Sequence, residues 1–199
     1  MKESYLTKAF RKTAHERFPE REAMLNSAFE KRLGELRSEH AGTSRQRMRH
    51  LESQIMPGIA AYETLQTVML KEEALRTVHG YVEERAYRLK KIFLRLMRIP
   101  GLYKKVPDIF ATQTPKFFGI SAGFEANAIR TTGGVWRIDM TRCPYHDECV
   151  RCGCPELCHC FCDSDDITYD GLHPKLIWQR TMTLGRGDDC CDFCMKVVK

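Results

Sequence analysis

Apolar residues in the first half of the chain recur every three or four positions, the period of one face of a helix. Leu75, Val78, Val82, Ala86, Leu89, Phe93 and Leu96 trace such a stripe and predict one long amphipathic helix, stopped at Arg98-Ile99-Pro100-Gly101. Shorter stripes precede it: Leu6, Phe10 and Ala14, then Leu25, Phe29, Leu33 and Leu36. Phe18-Pro19 separates those two, because the residue before a proline is driven out of the α region. A further helix is expected to begin at Pro57, where a missing N–H costs nothing in a first turn, and to run through Ile59, Tyr62, Leu65 and Met69. Residues 102–121 are poorly patterned.

After that stretch the pattern shortens. Residues 124–131 and 135–141 read as strands joined at Thr132-Gly133-Gly134, since paired glycines accept the positive φ of a tight hairpin. Residues 175–184 and 190–198 flank Gly185-Arg186-Gly187-Asp188-Asp189 and read as a second hairpin. The expected fold is therefore α+β in a single domain over residues 1–199. Helices in 1–100 pack on a C-terminal antiparallel sheet of about four strands in 120–199, with a Cys-rich insertion between the two hairpins.

Composition adds a division. Residues 1–105 carry 22 basic and 13 acidic side chains, and the remainder carries 10 and 13, so the helical half is basic and the rest mildly acidic. All ten cysteines fall between Cys143 and Cys194, in the acidic part. The opening residues hold no apolar stretch of secretory type and no segment is long and apolar enough to span a membrane, so a cytoplasmic chain is expected. In that reducing compartment clustered cysteines bind metal or act as thiolates more often than they pair as disulfides.

Cys149-x2-Cys152 and Cys191-x2-Cys194 have a spacing that lets two thiolates turn toward one ion. Soft thiolates suit a divalent metal, zinc first, or an iron–sulfur cluster, and spacing does not choose between them. The plainer alternative is that several are small buried hydrophobes. His15, His40, His50 and His79 lie in charged helical surroundings and are expected to be solvated, as is the face bearing Arg45, Arg47 and Arg49. The net charge is modest and the helices lack aromatic interleaving, so a nucleic-acid partner is not expected. The long apolar stripe serves a second copy as easily as a core, which leaves a homo-oligomer through the helical half open.

Three stretches carry a resemblance: Asp139-Met140-Thr141-Arg142-Cys143-Pro144-Tyr145, Gly153-Cys154-Pro155-Glu156-Leu157, and Arg180-Thr181-Met182-Thr183-Leu184 leading to Gly187 and Cys191-Asp192-Phe193. Together they resemble the L-2-amino-thiazoline-4-carboxylic acid hydrolase family. The closing Gly187-Asp188-x2-Cys191-x-Phe193 is also similar to the end of vinyl-reductase-type ligand-binding domains. Positions matching the hydrolase pattern are Cys143, Glu156, Cys162, Asp165, Arg180, Thr183, Gly187, Cys191 and Phe193.

The resemblance implies a small-molecule substrate, a cyclic amidine whose ring is opened by water with release of a thiol. In that reaction Glu156 or Asp165 would move protons, Arg180 would bind the substrate carboxylate beside Thr183, and Cys143, Cys162 and Cys191 would meet at one site. Those three thiols, with Cys149 and Cys152, would hold a metal that activates water, or Cys162 or another cysteine would itself be the nucleophile. For Asp165 the plain alternative is a turn residue, and for Glu156 a first-turn helix residue after Pro155. A different class stays open as well: a non-catalytic metal- or ligand-binding sensor, or an iron–sulfur or zinc protein, on the same fold.

Overall fold

The computed structural model describes residues 3–127 and 130–199. Helix α1 (Tyr5–Arg17) begins at Ser4, whose hydroxyl accepts the Thr7 N–H at 3.1 Å, and ends where Phe18-Pro19 turns the chain. Helix α2 (Glu22–Glu39) packs against it. Leu6, Phe10 and Ala14 on one side and Leu25, Phe29, Leu33 and Leu36 on the other are buried, and the Phe10 and Phe29 rings stack with centroids 4.4 Å apart. Each large apolar side chain so buried contributes about 1.5–3 kcal/mol.

Next come α3 (Arg45–His50), a π-helical turn (Leu51–Ile55) and α4 (Met56–Leu65) in one continuous path. Pro57 thus lies at the start of α4 as expected, but the helical path does not begin there. The wide turn just before it accommodates a residue with no N–H to donate. Helix α5 (Lys71–Leu96) buries Val78, Val82 and Ala86, while Leu96 at the end of the same stripe is exposed.

The poorly patterned stretch is also a helix, α6 (Leu102–Phe117). Pro107 and Pro115 inside it mask the helical spacing of Tyr103, Val106, Phe110 and Thr114, and the first three of these pack with the sheet-side core.

The sheet is antiparallel in the order β1-β3-β5-β4, with β1 (Glu125–Ala126), β3 (Val135–Arg142), β4 (Leu176–Gln179) and β5 (Cys191–Val197). A further short strand, β2 (Arg130–Thr132), also pairs with β3. The expected strand over 124–131 is thus two short pieces, and its residues 128 and 129 lie outside the described residues. Gly133 and Gly134 take φ of 57° and 82°, the left-handed pair that a two-residue hairpin needs. Pleat parity turns Trp136, Ile138 and Met140 of β3 inward, opposite Met195, Phe193 and Cys191 of β5.

The Cys-rich insertion is helical: α7 (Pro144–Arg151), a 3-10 turn (Pro155–Leu157) and α8 (Cys158–Tyr169), which packs along α5. Glu148 of α7 is only 2% exposed and accepts from His40 Nε2 (3.0 Å), Arg47 Nη2 (3.0 Å) and Arg151 Nε (2.7 Å). The expectation of solvated His40 and Arg47 is therefore corrected. A buried carboxylate needs such partners, and they tie the insertion to α2 and α3. Among the described residues no helix is long and apolar enough to cross a membrane.

Candidate functional site

Between α8, the inner face of the sheet, α6 and the π turn lies a cavity of about 420 Å³. Three thiols from three separated stretches reach it: Cys143 at the end of β3, Cys162 on α8 and Cys191 at the start of β5. Asp165, Arg180 and Phe193 line the same space. Helix geometry explains the α8 contribution, because Cys158, Cys162, Asp165 and Tyr169 are spaced by four, three and four residues and share one face. Asp165 is therefore not the turn residue of the plain alternative. Strand parity explains Cys191, which points inward with Phe193 and Met195.

Asp165 is the one carboxylate on the cavity wall among the described residues. About 41% of its side-chain surface is open, and that surface faces the cavity. Removal from bulk water pushes its pKa from 3.8 up to about 6, despite the pull of Arg180 and Arg85. The three thiols are neutral in this setting. Burial raises Cys143 well above the thiol range, although the Tyr145 and His146 N–H groups at the start of α7 point at its sulfur. Cys162 is raised because it donates to Cys158, whose sulfur is 3.9 Å away, and by burial. Burial brings Cys191 to about 11, against the Leu184 N–H and Arg180.

Arg180 is 2% exposed and largely committed. Its Nη2 donates to Asp166 and to the Cys162 carbonyl (3.1 Å), and its guanidinium lies over the Phe193 ring at 5.6 Å. Its Nη1, 3.9 Å from an Asp165 oxygen, has no hydrogen-bond partner. Thr183 is buried off the cavity wall. Its N–H donates to Asp188, and together with Gly187 in the left-handed region (φ 88°) it shapes the loop after Arg180. Asp192 secures the same loop: it accepts from both the N–H and the hydroxyl of Thr181 (2.7 Å each) and from the Met182 N–H (2.6 Å). Burial opposes its ionisation, but those bonds hold its pKa below the ordinary value.

Other expected site residues lie elsewhere. Glu156 accepts from Tyr62 (2.6 Å) and pairs with Lys71 (2.8 Å), at the far side of the insertion and not on the cavity. Cys149 is fully buried in the helical core and shares hydrogen bonds with Cys154 and Cys158. Cys152 faces Arg32, whose Nη2 is 3.8 Å from its sulfur.

The x2 pairs do not turn toward one ion. Cys191 and Cys194 lie three apart on a strand, which puts them on opposite faces. All ten cysteines are unbridged. Among the described residues no three His, Cys, Asp or Glu side chains are placed to hold a metal ion. The expected ligand set of Cys143, Cys149, Cys152, Cys162 and Cys191 is therefore not gathered at one point.

The cavity wall also has members that composition did not reveal. Arg85 donates to Gln54 Oε1 (3.1 Å), Gln54 donates to the Tyr145 hydroxyl (3.0 Å), and that hydroxyl is 3.3 Å from His50 Nδ1. His50 Nε2 donates to the Phe117 carbonyl (2.8 Å), which leaves Nδ1 as the acceptor. Burial lowers the His50 pKa, so this ring is a neutral member of a hydrogen-bond chain and the expectation that it is solvated is corrected. A usable signal for Arg85 existed: it falls between Val82 and Leu89, a cation on the apolar side of α5.

Fold and cavity together define an α+β protein with a cavity walled by three thiols and one carboxylate. The family model described as L-2-amino-thiazoline-4-carboxylic acid hydrolase matches residues 48–195, and the chain belongs to that family. No curated protein and no solved structure matches it.

Proposed function

We propose that the protein opens the ring of a cyclic amidine of the aminothiazoline carboxylate type. The observation that carries this reading is the convergence of Asp165, with its raised pKa, and three neutral thiols on one cavity. Asp165, ionised at neutral pH but close to its titration, takes a proton from water as the water oxygen bonds to the carbon between nitrogen and sulfur. The carbon–nitrogen double bond opens as that bond forms. The carbon–sulfur bond then breaks, the departing sulfur takes the proton held by Asp165, and the second water proton passes from oxygen to the ring nitrogen as the carbonyl forms, giving an N-carbamoyl amino acid with a free thiol. Neutral S–H groups of Cys143, Cys162 and Cys191 surround the leaving sulfur as weak donors.

Arg85, whose hydrogen-bond partner is the uncharged Gln54, supplies the cation for the substrate carboxylate. Arg180 acts more as a positioning residue, since Asp166 and the Cys162 carbonyl already occupy one of its nitrogens. No step runs through a metal. Ten unbridged cysteines fit a reducing compartment, and the reading places the protein in the cytoplasm.

A second version makes Cys143 the attacking atom: its proton passes to Asp165 on the same cavity wall as the sulfur attacks, and the two N–H groups aimed at that sulfur steady the developing thiolate. The test is free-thiol release from L-2-amino-thiazoline-4-carboxylate. Catalytic release is the expected result, and none at millimolar substrate with a folded protein overturns the reading. A covalent adduct at Cys143, detected by mass spectrometry during turnover, selects the second version.

A further inference from the structure

The cavity is far larger and more aromatic than a small polar ring requires. An apolar cavity of about 150 Å³ accepts benzene, whereas this one offers about 420 Å³. That is the range of pockets for drug-sized molecules, roughly 300–1,000 Å³. Two arcs of aromatic side chains wall it. On one side Phe118, Phe124, Tyr145 and Phe161 follow one another at steep to intermediate ring angles, with successive centroids 5.2–6.4 Å apart. On the other, Phe110 meets Trp136 (5.0 Å) and Tyr169 (5.2 Å), and Trp178 links Tyr169 (5.0 Å) to Phe193 (5.7 Å).

Charge on the same wall is unbalanced. Arg49, Arg85, Lys116 and Arg180 face it, against Asp165 alone among carboxylates. Two buried donors on lining residues, Trp136 Nε1 and Arg180 Nη1, have no hydrogen-bond partner. Neither donor has surface open to the cavity, so the cations Arg49, Arg85 and Lys116 on the wall are the groups that favour an anionic ligand. An amino-thiazoline carboxylate alone would leave most of the aromatic surface wet.

Building on the ring-opening reading, we propose that the natural substrate is an anionic heterocycle carrying an aromatic or similarly flat apolar substituent. Its flat body lies between the two aromatic arcs, and its carboxylate meets Arg85. Specificity then comes from the aromatic arcs rather than from the reacting ring.

The test compares three probes on the full chain by calorimetric titration: L-2-amino-thiazoline-4-carboxylate, the same ring bearing a phenyl group, and an anilinonaphthalene sulfonate. The phenyl-bearing ring is expected to bind about tenfold or more tighter than the unsubstituted one, because an aryl group buries a large apolar area. It should also displace the anilinonaphthalene sulfonate. Phe118→Ala, at a side chain already 40% exposed and so of little weight in folding, should weaken the phenyl-bearing ring several-fold and leave the small ring unchanged.

Equal or weaker binding of the phenyl-bearing ring, or no displacement, overturns the proposal. Thiol release in the same samples keeps the two claims apart. Efficient opening of the small ring with exclusion of the phenyl-bearing one sinks the substrate class and leaves the reaction standing. Tight binding of the phenyl-bearing ring without opening of either sinks the reaction and leaves the ligand class standing.

Discussion

The helical side and the sheet side of the molecule are built from similar apolar material and end differently. Around α1, α2, α4 and the first half of α5 the side chains are mostly aliphatic, with Phe10 stacked on Phe29, and close on one another, and Cys149, Cys154 and Cys160 serve there as compact filler. On the sheet side the large rings of Trp136, Trp178, Phe124 and Phe193 meet at angles, and a cavity stays open between them and α8. Helix α8 belongs to both sides: Cys160 faces the closed core, and Cys162 and Asp165 face the open one. The same residue type is inert filler on one face and cavity wall two positions later, which shows that neighbours, not cysteine content, assign the chemistry.

The largest effect expected of a single change is Asp165→Asn, which should lower kcat/KM by about 10²–10⁴-fold. In the unaltered protein kcat/KM should fall as pH drops through about 6, where the needed carboxylate is protonated. A pH–rate profile with no acid limb near that value removes Asp165 from the reaction.

The thiols sharpen the contrast directly. Alanine at Cys143, Cys162 or Cys191 should lower kcat/KM less, by about tenfold each, and unchanged activity in all three would end their assignment. Alanine at Cys149, in the closed core, should instead cost about 1 kcal/mol of stability, the loss of one buried sulfur, and leave kcat near its original value. Urea unfolding and thiol-release assays on the same four proteins read both quantities.

Smaller effects concern what holds the open side in shape. Asp192→Ala removes three acceptor contacts to the loop carrying Arg180 and should cost about 3 kcal/mol. Gly58→Ala would put a methyl 2.6 Å from the Phe161 ring, so that ring must move into the cavity. A loss of about 1–2 kcal/mol is expected, with KM changed more than kcat.

Asp165→Asn should also show a small gain in stability at neutral pH. Its folded-state pKa is raised, so the ionised form costs the fold stability above about pH 6, and the cost fades as pH falls from there toward 3.8. With 41% of the side chain open to the cavity, the gain should be only about 1 kcal/mol. A thermal midpoint unchanged by this substitution would mean that cavity water solvates the carboxylate fully.

Periodicity placed α1, α2, α4 and α5 and paired glycines the β2–β3 turn, because these reflect burial and backbone freedom among immediate neighbours. The expected strand over 175–184 holds only at Leu176–Gln179, since the N–H groups of Thr181, Met182 and Thr183 donate to Asp192 and Asp188 instead of to a neighbouring strand. The resemblance named Cys143, Cys162, Cys191, Asp165, Arg180 and Phe193, which all reach the cavity. Helix α6 escaped notice because two prolines interrupt its stripe. The helical character of the insertion was hidden by cysteines, which read as ligands rather than as helix positions.

What the chain determines by itself is thus local: which segments coil, where glycines turn them, and which motifs they carry. Tertiary structure decided the rest. It separated Glu156 from the cavity by pairing it with Tyr62 and Lys71, and it split Cys191 from Cys194 across a pleat. It also brought Arg85, Gln54, Tyr145 and His50 into one hydrogen-bond chain from three different helices and a π turn. Side-chain direction and solvent exclusion depend on residues far away in sequence, and those two quantities set whether a thiol or a carboxylate is chemistry or packing.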